Sequence, residues 1–272
     1  MPVNEKPWLE IPIDSWEWFD RQIEKFKPRE WLFRGHSDSC WRLRTSLDRS
    51  FDDLQHIIKS AKGKTRRFDK RTHESLLIKT FQKNANLYLD FLPPVDKKLE
   101  WLAIMQHHGA PTRLLDVTLS PHIATYFALE AGSGDSCIFA INHTEIKKNN
   151  TFTLSKNNYK EAQAALFGKK ERFVIVFDPE FGNKRLVIQQ GLFLVPSQIN
   201  QSFDDLLEDY LQFADDEVCI KYIIPARLRF LGLERLRQMN ITSSSLFPGL
   251  DGFSKSLKFQ ILETVQSQKL LD

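Results

Sequence analysis

Apolar residues recur every three or four positions over residues 14–26, so Trp16, Phe19, Ile23 and Phe26 share one side of a helix that Asp14 or Ser15 would cap. The same spacing predicts a second helix from Thr72 through "THESLLIKTFQKNANLYL", with Thr72 as cap and Glu74 in its first turn. A third runs over "LEWLAIMQHHG" and is stopped by Gly109 and Pro111. In "SPHIATYFALEAG" Ser120 stands as cap and Pro121 at the first helical position, where a missing N–H costs nothing. "ARLRFLGLERLRQMN" and "SKSLKFQILETVQSQ" read as late helices. β-Branched and aromatic runs bounded by turn residues predict strands in "EWLFRGHS", ending at Gly35, and in "SCIFAIN", "RFVIVFDP", "RLVIQQGLFLVP" and "CIKYIIP". "WRLRTSLDRS" reads as a turn or extended segment. Helices thus crowd the first half and strands the second, which predicts an α+β domain with a mixed sheet assembled largely from the second half.

One segment does not fit an ordinary connector. "HHGAPTRLLDVTLSP" (107–121) interrupts two apolar helices with polar and turn-forming residues, yet Leu114 and Leu115 inside it call for burial. It reads as a site-bearing turn between two helices. Arg113 and Asp116, three apart, pair to hold that turn, and Thr118 with a histidine faces a ligand.

Composition narrows the setting. A hydrophobic fraction of 42%, with 21 Phe and 6 Trp, describes a packed globular chain. No apolar stretch reaches the roughly 18 residues of a spanning helix, and the start lacks the pattern of a signal peptide, so the expectation is a cytoplasmic protein away from membranes. Cys40, Cys137 and Cys219 form no paired motif, which speaks for reduced thiols and against a cysteine-rich zinc site. A formal net charge of +3 does not by itself point to nucleic acid. The densest basic run, "KSAKGKTRRFDKR" (59–71), reads first as a solvated loop and second as a polyanion contact.

Several stretches together resemble the FRG domain family, named for its Phe-Arg-Gly motif. "WLFRGHSDSCWRLRTSLDRS" carries Phe33, Arg34 and Gly35, followed by Trp41, Leu43, Ser46, Leu47 and Arg49. "MQHHGAPTRLLDVTLSPHIATYFAL" is similar to the family's central motif, and "RLVIQQGLFLVP" and "LFPGLDGFSKSLK" to two later ones. His36 stands where the family often has Gln, and Val117 where it usually has Trp. The resemblance implies an FRG-type domain over 29–260, a helical lead-in at 1–28 and a helix end at 261–272. It implies no settled activity.

The order strand-Arg-Gly, then Thr118-x-Ser120 before a helix, then Gln189-Gln190 in a late strand resembles the ADP-ribosyltransferase fold, in which Arg, a Ser-Thr-Ser strand and a Glu surround NAD. That likeness implies a split sheet and NAD as cofactor. Arg34, beside Gly35, is either an anion grip or an Arg buried against Asp116 or another acid. Thr118 and Ser120 supply hydroxyls beside a helix N-terminus, with capping as the alternative for Ser120. Gln189 and Gln190 can hydrogen-bond ribose but carry no charge for an oxocarbenium ion, so Glu74 is the candidate to complete the catalytic group. His107 and His108 are candidates for acid–base work or ligand contact, and Arg113 for ligand contact.

The expected site is therefore Gln190, His107 and Glu74 as catalytic groups, with Arg34, Gly35, His108, Arg113, Thr118, Ser120 and Gln189 binding a nucleotide. The leading function is binding of NAD or a related nucleotide, with ADP-ribosyl transfer or NAD cleavage as the reaction and a protein or nucleic-acid target. A non-catalytic nucleic-acid or nucleotide-signal module comes second. A metal-dependent nuclease using His107 or His108 with Asp116 comes third, since it lacks the carboxylate cluster that hard cations prefer.

Overall fold

The computed structural model describes residues 8–62, 69–148, 150, 159–168, 172–211 and 217–269; residues 63–68 of the basic run at 59–71 lie outside them. The strands are β1 (Leu9–Pro12), β2 (Trp31–His36), β3 (Leu115–Thr118), β4 (Ser136–Asn142), β5 (Val174–Phe177), β6 (Gly191–Pro196) and β7 (Cys219–Ile224). They form one mixed sheet in the order β1-β7-β4-β2-β3-β6-β5. β1 and β7 are parallel, and the remaining neighbours are antiparallel. The fold is α+β, with strands spread through the chain.

The helices are α1 (Trp16–Ile23), α2 (Ser46–Lys62), α3 (Lys70–Asn84), α4 (Lys98–His107), α5 (Pro121–Leu129), α6 (His143–Lys148) and α7 (Tyr159–Phe167). They continue with α8 (Lys184–Ile188), α9 (Phe203–Leu211), α10 (Arg229–Gln238), α11 (Ser243–Leu246) and α12 (Leu250–Lys269). Ser15 caps α1 as its sequence predicts, whereas α3 starts two residues before Thr72 because Asp69 accepts from the Arg71 N–H. None of the described helices is long and apolar enough to cross a membrane.

Neighbouring strands differ sharply in how far they pair. β2 runs beside β4 from Trp31 to His36, but it meets β3 at the single pair Phe33↔Thr118. β3 in turn pairs with β6 along its whole length. The sheet is therefore almost split into a half of β1, β7, β4 and β2 and a half of β3, β6 and β5. The apolar packing does not follow the split, since one cluster joins Leu32 and Phe139 of the first half to Leu115, Val117 and Leu194 of the second. Phe33, Ile138 and Tyr222 pack with Phe19 of α1 and Tyr126 of α5. Leu32, Phe139 and Ile141 form the opposite face with Leu206 and Leu207 of α9. Phe193 and Val195 of the second half pack with Trp101 and Met105 of α4.

Three local readings of the sequence are corrected. "TSLDRS", expected to be a turn or extended, opens α2, where the Thr45 hydroxyl accepts from the Asp48 N–H. "RLVIQQ" is not strand: α8 covers Lys184–Ile188, and Gln189-Gln190 form the turn that leads to β6, with Gln190 at φ 47°. "LDVT" inside the expected turn is strand β3, which explains why Leu115 and Val117 are buried while Asp116 is exposed.

Candidate functional site

Arg34 stands where the two sheet halves part. Once β2 has left β3, the backbone of β3 on that side lacks a strand partner, and the guanidinium takes its place. Nη1 donates to the Asp116 backbone oxygen at 2.6 Å and lies 3.8 Å from the Asp116 carboxylate. Nε donates to His36 Nε2 at 2.9 Å. No partner for Nη2 is found among the described residues. Burial works against the charge of Arg34 and Arg49 adds to that effect, so its pKa sits below the ordinary arginine value, with Asp116 opposing.

His36 is 6% exposed and lies edge-on to Trp41 and Phe139. Because Nε2 accepts from Arg34, the ring is the neutral tautomer with its proton on Nδ1. Burial is the first cause and the Arg34 charge the second of a pKa pulled down to about 3. His36 serves Arg34 here as an uncharged acceptor.

Around this pair opens a cavity of about 1150 Å³. It is bordered by β2 and β3, by the segment after β2, by α8 and by the start of α12. Cations dominate its wall: Arg34, Arg42, Arg44, Arg49, Arg185 and Lys255 stand against the acids Asp116, Glu130 and Asp251. Arg42 is neutralised by Asp204 at 2.5 Å, and Arg44 by Asp48 and Asp52 at 2.9 and 2.6 Å. Among the described residues, Arg49, Arg185 and Lys255 have no acid at ion-pair distance. Arg185 and Lys255 lie over the Phe247 ring, at 4.6 and 5.0 Å from its centroid. The half-buried Glu130 carboxyl has its pKa raised, chiefly by burial.

The central segment divides by role. Thr118 borders the cavity, but its hydroxyl donates to the Gln189 backbone oxygen at 2.7 Å and accepts from the Ser120 N–H at 3.0 Å. Ser120 caps α5, accepting from the Ile123 N–H at 3.3 Å. Gly35 also borders the cavity, yet the space a side chain would take is filled by α5: an added Cβ would lie 1.9 Å from the Ala124 oxygen. Its lack of a side chain serves helix packing rather than close approach of a ligand. Gln189 borders the cavity and donates to the Leu246 oxygen at 3.0 Å, whereas exposed Gln190 is not among the lining residues.

Ser120 does not border the cavity either, and Arg113 and Glu74 lie in the core. Arg113 does not pair with Asp116. It is 1% exposed and forms a two-pronged ion pair with Glu74, also 1% exposed, while Nη1 donates to the Leu166 oxygen at 2.8 Å. Its guanidinium stacks 4.6 Å from the Phe167 ring. Neither Arg113 nor Glu74 borders the cavity, so the structure brings Glu74 to Arg113 and not to Arg34. Spacing along the chain favoured Asp116 for Arg113, but Arg113 lies in a bend before β3 and turns into the core towards Glu74, whereas the Asp116 side chain on β3 is exposed.

His107 and His108, with ring centroids 4.9 Å apart, border a second cavity of about 410 Å³ beside the first. Burial, His108 and Arg185 together lower the His107 pKa. Asp116 also reaches this cavity, where the Gln106 amide donates to its carboxylate at 2.8 Å. No group of three or more His, Cys, Asp or Glu suited to a metal gathers among the described residues.

Arg185, Glu130, Phe247 and Lys255 are not evident as site residues from sequence. The first falls in a segment that reads as strand and the others in segments that read as helix or turn packing, and they meet Arg34 only through the tertiary fold. The signal that exists is Phe247 and Lys255 within a stretch already similar to a late family motif.

Residues 29–136 match the family model described as FRG domain, so the chain carries an FRG domain over that span. No curated protein and no solved structure matches the chain.

Proposed function

We propose that this FRG-domain chain binds an anionic nucleotide, NAD foremost, in the cavity at the split of its sheet, and that ADP-ribosyl transfer or NAD cleavage is the reaction it supports. The observation that carries this reading is the state of Arg34. Its guanidinium is fixed by Asp116 and His36, its charge is opposed by burial, and Nη2 has no partner among the described residues. A phosphate would satisfy that edge and relieve the charge, and Arg49, Arg185 and Lys255 add further positive charge to the same wall. The volume is ample for a dinucleotide, since ligand pockets run from about 300 to 1,000 Å³.

The acid that a transfer reaction needs would come from Asp116, Glu130 or Asp251, the carboxyls that border the cavity, rather than from Gln190 or Glu74. The second reading is a non-catalytic module that binds the nucleotide without turnover. What favours it is the uncharged Gln189 beside the cavity, with its amide already committed to the Leu246 oxygen.

Calorimetric titration with NAD, followed by chromatography for free nicotinamide, separates the readings. Binding with nicotinamide release supports the enzyme, and binding without release supports the module. If NAD, ADP-ribose and ADP all fail to bind the folded protein, the cavity is not a nucleotide site.

A further inference from the structure

The two cavities are not independent. Gln106, Asp116, Arg185, Leu186 and Gln189 border both, so the smaller opens beside the larger across a wall that includes one cation. Their chemistry differs. Beyond Arg185 no Lys or Arg borders the smaller cavity among the described residues, and its wall includes Phe91, Phe181, Phe193, Ile104 and the two histidines. An apolar, ring-lined recess next to a cationic chamber suits a ligand with one charged and one uncharged planar part.

Of the aromatic residues that border the larger cavity, Phe33 is buried and Trp41 is the exposed one. The Phe247 ring carries Arg185 and Lys255, and Trp41 lies edge-on to His36. In the smaller cavity Phe91 is 87% exposed. Phe181 is held in place from below, since its backbone N–H donates to the Glu100 carboxylate at 3.2 Å.

We infer that the smaller cavity is a base subsite, holding the uncharged planar ring of the same ligand whose phosphates lie among Arg34, Arg49 and Arg185. This rests on the nucleotide reading above and adds to it where the base goes. Arg185, on the shared wall, would then stand where the ligand passes from one cavity to the other, within reach of the phosphate next to the ribose.

The test compares inorganic pyrophosphate with ADP by calorimetry, and follows the imidazole signals of His107 and His108 by nuclear magnetic resonance. ADP is expected to bind at least about tenfold more tightly than pyrophosphate, the worth of one stacked base. ADP alone should move both histidine signals. Phe91→Ala, at a position too exposed to endanger folding, should bring ADP towards the pyrophosphate affinity at an unchanged melting temperature.

Equal affinities for ADP and pyrophosphate would overturn the base subsite and leave the anion cavity standing. Tighter ADP binding with unmoved histidine signals would place the base elsewhere, on Trp41 for example, and would overturn the subsite equally. Failure of both probes to bind would remove the nucleotide reading and this inference with it.

Discussion

Arg34 and Asp116 face each other across the gap between β2 and β3, and the shorter of their contacts, 2.6 Å, goes to the backbone oxygen of Asp116 and not to its carboxylate. The Asp116 side chain, 59% exposed, is held by Gln106 instead. The arginine thus closes a break in the sheet with a hydrogen bond that no substitution at residue 116 would remove short of a backbone shift, since every residue keeps its carbonyl.

Arg34→Lys and Asp116→Asn should therefore behave differently. Lysine keeps the charge but not the planar fork, so contacts to both His36 and the strand are lost together, at a cost of about 1–3 kcal/mol. Asp116→Asn preserves the backbone acceptor and gives up only a solvent-screened pair, for less than about 1 kcal/mol. Urea unfolding of the two variants checks the order. A larger loss from Asp116→Asn would show that the carboxylate, not the backbone, anchors Arg34.

Glu74→Gln should be among the most damaging single changes. It removes the counter-charge of an arginine that is itself 1% exposed, leaving a buried cation with carbonyl partners alone. Breaking a buried pair from one side costs about 3–5 kcal/mol. Thermal melts report the loss, and a melting temperature close to wild type would mean that Arg113 finds another acid or water.

His36 gives stability a defined dependence on acidity. Its folded pKa lies near 3, below the ordinary histidine value, so the unfolded chain takes up the proton first as pH falls. The contribution is complete above about pH 6.5 and is lost progressively towards pH 3, with a slope of up to about 1.4 kcal/mol per pH unit. His107, His122 and His143, whose pKa values are also lowered by burial, act in the same direction. His36→Gln keeps an acceptor for Arg34 and does not titrate. Unfolding free energies at pH 6.5 and 4.5 should therefore differ less in this variant than in wild type, and an unchanged difference would reject the assignment to His36.

Gln190 is exposed and left-handed at φ 47°, a conformation that costs a side chain about 1–2 kcal/mol. Gln190→Gly should stabilise the protein by about 1 kcal/mol, offset in part by greater freedom of the unfolded chain. Gln190→Glu should leave NAD binding as it is, because residue 190 does not border the cavity. A rate increase on Gln190→Glu would restore this residue to the site.

Helices with a well-placed cap were legible in the sequence, as Ser15 and Ser120-Pro121 show, because capping is local chemistry. The split of the sheet followed only from likeness to another fold, since the one-residue contact Phe33↔Thr118 joins strands far apart in the chain. β3 reads as a turn for a physical reason: Leu115 and Val117 alternate with the polar Asp116 and Thr118 for just four residues, and Gly109, Pro111 and Pro121 on either side are strong turn signals. The Arg34 position was legible as an anion grip or a structural arginine, and the fold gives it contacts of the second kind with an edge left for the first. The partner of Arg113 was not legible, because the buried acid it meets comes from α3, some forty residues earlier.

The single joint between the halves also bears on how the chain can be divided. Residues 29–136 contain β2 and β3 but stop at the first residue of β4, so β2 would lose the neighbour it pairs with over six positions, and β3 would lose β6. A fragment cut at those limits keeps the Phe-Arg-Gly motif and the central motif, yet among the described residues one pair is all the strand pairing it retains. The span that matches the family model is thus not a unit of folding, and an expression fragment or a limited-proteolysis core should reach from β1, the edge strand of the half containing Arg34, at least through β7.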